Sequence, residues 1–287
     1  MTDPTILVFD SGLGGLTVHA EIVALRPQAR YVYLADDAVF PYGGMAADVL
    51  IERVCGLLDV QIARLKPDIV VIACNTASTL VLPRLRATWP GIPFVGTVPA
   101  VKPAAHHSAS QLISVLATPA TVARDYTHDL IRQYASHCEV QLVGAPKLAS
   151  LAEAFMKGES VADADIAREI ESCFVEKDGR RTDHVVLACT HYPLLLDAFR
   201  RVEPWPVTWV DPAHAIARRA DHVLVEAGFP EEPHGSASPV QVGFAEFTSN
   251  RPPGAALAKA LEARGLVWRA MDERNGDRRV SQSAALR

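Results

Sequence analysis

The sequence predicts an α/β protein with mostly parallel sheets and two similar halves. Short apolar runs alternate with longer segments of helical periodicity, which is typical of βα units. Two of the runs end alike: residues 68–74 are DIVVIAC and residues 183–189 are DHVVLAC. Because both are apolar and rich in β-branched residues, they fit strands buried on both faces of a parallel sheet better than half-exposed strands.

The elements follow in order along the chain. The predicted strands are the apolar runs 6–9, 31–34, 69–73, 94–95, 113–116, 140–143, 185–188 and 207–210. The predicted helices are the periodic segments 15–25, 46–65, 79–87, 121–134, 147–156, 163–174, 194–202 and 213–227. Pro27, Pro67 and Pro90 follow three of these helices, where a proline marks a helix end.

A second matched pair supports the repeat. Residues 6–11 and 113–118 each form a predicted strand followed by a small hydroxyl residue and a helix. In each half this unit precedes the cysteine strand by a similar distance. Two similar halves that face each other would place Cys74 and Cys189 on opposite walls of one cleft, at the carboxyl ends of strands, where open α/β sheets bind ligands.

Composition excludes several classes of function. A chain of 287 residues with 49% apolar content can form one large domain or two smaller ones. A net charge of −5 offers no basic footprint, so nucleic acid is not expected as a partner. No apolar stretch is long enough for a membrane span or an export signal, and five cysteines is an odd number. We therefore expect reduced thiols in the cytoplasm and no membrane partner.

Neither a metal site nor a dinucleotide loop is predicted. The sequence has no Cys-x-x-Cys pair, and the remaining candidate ligands lack the spacing of a zinc site. The glycines of residues 10–15 (DSGLGG) follow a strand but do not have G-x-G-x-x-G spacing. Asp10, at the end of that strand, could be a helix cap or a catalytic carboxylate. The polar tail from residue 272 is expected to be mobile and dispensable.

A free cysteine is usually a small buried hydrophobic residue, and Cys55, Cys138 and Cys173 fit that interpretation. The repeated context of Cys74 and Cys189 instead favours a function. Each is followed by hydrogen-bonding side chains at a helix start, in residues 75–78 (NTAS) and 190–193 (THYP). Free N–H groups at such positions attract carboxylates.

Six phrases, in order along the chain, resemble the glutamate racemases, a family of cofactor-independent enzymes that supply D-glutamate for peptidoglycan. They are residues 9–18 (FDSGLGGLTV), 41–43 (PYG), 73–78 (ACNTAS), 98–104 (VPAVKPA), 116–118 (LAT) with Thr121, and 187–195 (LACTHYPLL). The resemblance implies two pseudo-symmetric three-layer α/β domains with mostly parallel sheets facing one cleft. Domain A would be residues 1–98 plus 207–287, and domain B residues 99–206.

The resemblance also implies the roles of individual residues. Cys74 would act on D-glutamate with Asp10 beside it, and Cys189 would act on L-glutamate with His191 and Glu153 as its partners. Without the resemblance, His191 would be a satisfied strand-end histidine and Glu153 part of a solvated helix face. The implied substrate-binding residues are Asp10, Ser11, Tyr42, Gly43, Asn75, Thr76, Thr118, Thr121, Thr190 and His191.

Further expectations concern partners and related enzymes. The phrase at residues 98–104 resembles enterobacterial racemases that UDP-N-acetylmuramoyl-L-alanine activates, and a homodimer is common in the family. The related aspartate racemases usually have His at the position of Ser78 and Glu at the position of His191, so the resemblance favours glutamate as the substrate. Ala188 replaces the glycine that is commoner in the family before the second cysteine. No cofactor is expected. The alternatives are a thiol redox enzyme, which would form a disulfide, and a two-lobed amino-acid-binding protein without catalysis.

Overall fold

The computed structural model describes residues 3–231 and 240–271, so the predicted tail from residue 272 lies outside the described residues. The strands are β1 (Thr5–Asp10), β2 (Arg30–Ala35), β3 (Ile69–Ile72), β4 (Phe94–Gly96), β5 (Leu112–Ala117), β6 (Glu139–Gly144), β7 (Glu176–Lys177), β8 (Arg180–Arg181), β9 (His184–Leu187), β10 (Thr208–Val210), β11 (Gly243–Phe247) and β12 (Leu266–Trp268). The α-helices are α1 (Leu16–Leu25), α2 (Ala47–Leu65), α3 (Asn75–Thr88), α4 (Val101–His107), α5 (Pro119–Val122), α6 (Asp125–Tyr134), α7 (Leu148–Met156), α8 (Asp163–Ile170), α9 (Leu196–Val202), α10 (Ala213–Glu226) and α11 (Ala255–Glu262). Short 3-10 helices span Asp37–Val39, Tyr42–Gly44, Glu171–Cys173 and Tyr192–Leu195.

Two parallel sheets organise the chain, which confirms the predicted fold class. The larger sheet has the order β12-β11-β2-β1-β3-β4 and the smaller one the order β10-β9-β5-β6. Every strand pair in both sheets is parallel. The antiparallel pair β7-β8 is separate.

The central strands are buried on both faces, as their apolar sequences predict. In β1, Ile6 and Val8 belong to the core that includes α1 and α10, whereas Leu7 and Phe9 belong to the core that includes α2. All four side chains are fully buried, and burial of such a side chain contributes about 1.5–3 kcal/mol. Helices therefore cover both faces of the larger sheet. A ligand can reach this sheet only at the ends of its strands.

The order β2-β1-β3-β4 in one sheet corresponds to β6-β5-β9-β10 in the other. The registers also correspond, because Phe9 lies opposite Ile72 and Leu116 lies opposite Leu187. The strands β11 and β12 extend only the larger sheet. The division into domains A and B remains a prediction, but β10 pairs with β9, so the smaller sheet extends past the predicted boundary at residue 206 to Val210.

Local differences from the predicted elements have identifiable causes. The helix predicted at 79–87 begins earlier, at Asn75. The prediction began late because residues 75–78 (NTAS) include types that favour caps, whereas in the structure they form the first helical turn. The helix predicted at 121–134 is two helices, since Arg124 between α5 and α6 has extended backbone angles. The short elements α4, β11, α11 and β12 were not predicted. Among the described residues, no helix is both long and apolar enough to cross a membrane.

Candidate active site

Cys74 and Cys189 occupy equivalent positions in the two sheets. Each follows the carboxyl end of its strand by two residues, and the residue before it donates its N–H to the neighbouring strand: Ala73 to the Phe9 carbonyl and Ala188 to the Leu116 carbonyl, both at 2.8 Å. Both cysteines are buried, and all five cysteines of the chain are free thiols. The repeat therefore brings two thiols to the same edge of two similar sheets.

The Cys74 side is acidic. The Cys74 sulfur lies 3.6 Å from the Ser11 hydroxyl, and Asp10 ends the adjacent strand. Burial and the negative charge of Asp10 raise the pKa of Cys74 to about 12, although hydrogen bonds from Ala77 N–H and Ser11 oppose the rise. Burial likewise raises the pKa of Asp10. The raised pKa therefore favours the neutral thiol form of Cys74 at neutral pH.

The Cys189 side carries a buried cation. His191 Nδ1 lies 3.9 Å from the Cys189 sulfur, and His191 Nε2 donates to Glu153 Oε1 at 3.0 Å. Burial alone would lower the pKa of His191, but its bonds to Cys189 and Glu153 and the charge of Asp10 raise it to about 10. Burial would raise the pKa of Glu153, yet His191, Leu13 N–H and Lys157 together lower it. The raised pKa of His191 and the lowered pKa of Glu153 thus favour an imidazolium beside a carboxylate at neutral pH.

Contacts across the cleft join the two sides. Leu13 N–H donates to Glu153 Oε1 at 2.6 Å, and the Thr190 hydroxyl donates to Asp10 Oδ2 at 2.9 Å. A Cβ atom on Gly12 would lie 2.3 Å from Glu153 Oε1, and one on Gly14 would lie 2.4 Å from His191 Nδ1. The glycines of this segment therefore allow close approach to the opposite half, which explains them without a dinucleotide.

The space between the thiols is almost closed. A cavity of about 20 Å³ remains there. It is lined by Ser11, Phe40, Pro41, Tyr42, Gly43, Cys74, Asn75, Thr76, Thr118, Ala149, Ala188, Cys189, Thr190 and His191. Both polar atoms of the Asn75 amide are buried without a hydrogen-bond partner, although buried amides are nearly always paired. An unpaired amide on this wall is suited to a polar ligand.

Three predicted site residues lie behind the wall and do not line it. Asp10 is fully buried and accepts bonds from Gly12 N–H and Thr190. Glu153 lies beyond His191. Thr121 forms a 3.0 Å hydrogen bond with Thr118, which caps α5, and its hydroxyl is 3.5 Å from that of Thr76. These residues support the side chains that line the cavity and are not themselves part of its lining.

Three residues that shape the site were not predicted from the sequence. The Phe40 ring packs on His191 with centroids 5.1 Å apart and also lines the cavity. The Tyr33 hydroxyl donates to the Gly12 carbonyl at 2.7 Å and so holds the glycine segment. Lys157 Nζ lies 3.2 Å from Glu153 Oε2. The i, i+4 spacing of Glu153 and Lys157 was a usable signal for the last contact, whereas the other two depend on tertiary packing.

Known proteins are similar to this chain in sequence and fold. A sequence model of the Asp/Glu/hydantoin racemase family matches residues 27–220. The chain is 58% identical to the glutamate racemase of Brucella anthropi over 80% of this chain and 82% of that protein. It is 54% identical to that of Brucella canis over 91% and 92%. A crystal structure of Escherichia coli glutamate racemase with L-glutamate and the activator UDP-MurNAc-Ala is 37% identical and covers 93% of this chain and 98% of that chain, with a TM-score of 0.82.

Proposed function

The chain belongs to the Asp/Glu/hydantoin racemase family, and from that premise we propose that it interconverts L- and D-glutamate with Cys74 and Cys189 as its two acid/base groups. The observation that carries the proposal is the pair of buried thiols at equivalent strand ends on one small cavity. Removal of a proton from one face of Cα and its return on the other requires one such group on each side.

The proton transfers balance without a cofactor. The Cys189 thiolate takes the Cα proton of L-glutamate, and the electron pair left on Cα delocalises into the adjacent carboxylate. The Cys74 thiol then donates its proton to the opposite face. Cys189 ends as a thiol and Cys74 as a thiolate, so D-glutamate reacts by the reverse path. This assignment of each cysteine to one isomer rests on the family resemblance.

The charges around the two thiols suit reaction from L-glutamate. Cys74, with its pKa raised to about 12, is already the thiol that this direction needs. The His191 imidazolium lies 3.9 Å from the Cys189 sulfur and stabilises negative charge there. For D-glutamate, the substrate's ammonium group next to Asp10 would offset the negative charge that opposes ionisation of Cys74.

The proposed binding residues supply hydrogen-bond donors. The unpaired Asn75 amide, the hydroxyls of Ser11, Thr76 and Thr118, and the backbone of Tyr42 and Gly43 lie around the cavity. Thr190 also lines the cavity, but its hydroxyl donates to Asp10. Donors fixed before the reaction can stabilise the carbanionic carboxylate more than water does. A space of about 20 Å³ holds one water molecule at most, so the cleft must widen to admit glutamate.

Other parts of the proposal concern cellular role and partners. A relative at 37% identity was crystallised with UDP-MurNAc-Ala, which supports activation of this chain by the same compound. We extend the proposal to a cytoplasmic enzyme that supplies D-glutamate for peptidoglycan. A homodimer is expected as well.

The test is ¹H NMR of L-glutamate and, separately, D-glutamate in D₂O with the purified protein, Cys74→Ala and Cys189→Ala. The wild type should wash out the Cα–H signal and form the other enantiomer, and each variant should lose racemisation by at least about 10³-fold. Addition of UDP-N-acetylmuramoyl-L-alanine should raise the wild-type rate. A wild type that binds glutamate but exchanges no Cα hydrogen, with or without that compound, would identify a binding protein instead.

A further inference from the structure

A larger cavity lies behind the wall that carries His191. Its volume is about 500 Å³, and Phe40, Glu153, Lys157, Phe247, Arg251 and Leu257 are among the residues that line it. Phe40 is the residue that this cavity shares with the small cavity between the thiols. Arg251 and Lys157 are exposed, so a ligand can reach the cavity from solvent.

The carboxylates that line this cavity already accept hydrogen bonds from the protein. Asp37 accepts hydrogen bonds from the Ser249 N–H at 2.8 Å and the Ser249 hydroxyl at 2.5 Å, one at each carboxylate oxygen. Glu153 uses Oε1 for Leu13 N–H and His191, and Oε2 for Lys157. Each of the two carboxylates therefore already has hydrogen-bond donors on both of its oxygens.

The donors of this cavity, in contrast, are in excess. The Arg251 guanidinium has no ion pair or side-chain hydrogen bond within residues 3–231 and 240–271. The Lys157 ammonium has three N–H donors, of which the Glu153 contact takes one. Phe40, Phe247 and Leu257 add apolar surface. Free donors beside apolar walls suit an anion with an apolar body.

We propose that this cavity is a second ligand site, which takes a small organic anion such as an aryl phosphate or carboxylate on Lys157 and Arg251. An anion there competes with Glu153 for the Lys157 ammonium and presses on Phe40. Both Glu153 and Phe40 contact His191, which reaches the Cys189 sulfur. The occupied site therefore lowers kcat without blocking glutamate binding. The effect on rate rests on the proposed racemase function, whereas binding does not.

Phenyl phosphate is the probe, and isothermal titration calorimetry on the whole protein measures its binding. Arg251→Met and Lys157→Met should each weaken binding roughly tenfold, because each removes a charged donor. Arg218→Met is the matched control, since Arg218 is an exposed arginine of α10 outside the cavity lining. It should bind phenyl phosphate as the wild type does.

Kinetics separate this site from the substrate pocket. Phenyl phosphate should reduce kcat two- to fivefold at saturation with KM unchanged, and D-glutamate should not displace it in the calorimeter. Competition with D-glutamate, no measurable binding, or binding that is equal in Arg251→Met and Arg218→Met would overturn the proposal. A protein that binds phenyl phosphate through Arg251 but does not racemise glutamate would keep this site and remove the proposed function.

Discussion

The Cys74 side and the Cys189 side of the cleft have the same backbone and opposite electrostatics. Both thiols follow parallel strands in matching register, yet Cys74 has the carboxylate of Asp10 next to it and Cys189 has the imidazolium of His191. The position equivalent to Asp10 in the second half is Ala117, which also ends its strand and forms the corresponding backbone bond. The fold thus repeats the position of the thiol but not its charge.

The supporting groups on each side also show that the two halves depend on each other. Asp10 receives a hydrogen bond from Thr190 of the opposite half, and Glu153 receives one from Leu13 of the first half. Each side therefore supplies a hydrogen-bonding partner to the other side's supporting carboxylate. A change at the junction should affect both sides together, whereas a change in one supporting residue should affect one.

Among substitutions outside the two cysteines, the largest effect is expected for Gly14→Ala. A Cβ at this position would lie 2.4 Å from His191 Nδ1 and 2.6 Å from both His191 N and Thr190 Oγ1, so the second half must move away. A displacement of about 1 Å at a catalytic group can cost about 10²-fold in rate. L- and D-glutamate have equal free energies, so kcat/KM should fall equally in the two directions.

Gly56→Ala is the control for this prediction. Gly56 lies within α2, and a Cβ there would meet nothing within 4 Å. Alanine in the middle of a helix is favoured over glycine by about 0.5–1 kcal/mol, so this variant should be slightly more stable and fully active. Wild-type kcat/KM in Gly14→Ala would show that the two halves do not need close contact.

A pH-dependent loss of stability is expected from the Cys189 side. The pKa of His191 is raised to about 10, so the stability that its proton contributes is complete below the usual histidine pKa and is lost as pH rises through about 10. Each pKa unit corresponds to about 1.4 kcal/mol. The difference in unfolding free energy between wild type and His191→Asn, measured with urea, should shrink steadily from about pH 6.5 to about pH 10. A constant difference would mean that His191 is neutral in the native protein.

On the Cys74 side, removal of the titrating group should stabilise the protein at neutral pH instead of destabilising it. Burial raises the pKa of Asp10, so its ionised form costs stability at neutral pH. Asp10→Asn removes that charge and retains an oxygen that can accept from Gly12 N–H. The variant should be about 1 kcal/mol more stable than the wild type at pH 7 and less active. The gain should disappear near pH 3, and a variant less stable than the wild type at pH 7 would contradict it.

The sequence predicted the shared features of the two sides better than their differences. The two cysteine strands and the repeat were visible because apolar runs and turn residues are local signals. Glu153 and His191 were named as partners of Cys189 only through the family resemblance, because no local pattern pairs residues so distant in sequence. The Phe40 contact and the contribution of Tyr33 also depend on residues distant in sequence and were not predicted. The strands β11 and β12 were missed because they are short, and Phe244 and Val267 in them are exposed.

The smallest effect is expected for Lys157→Met on the Cys189 side. Lys157 contributes to the lowered pKa of Glu153, but its side chain is 49% exposed, so solvent screens the contact. Loss of the ammonium should reduce kcat two- to threefold and move the acidic limb of its pH profile to higher pH, because Glu153 then protonates more readily. Lys147→Met, which alters an exposed lysine at the start of α7, is the control. If the two variants have identical profiles, Glu153 keeps its charge and orientation through His191 and Leu13 alone.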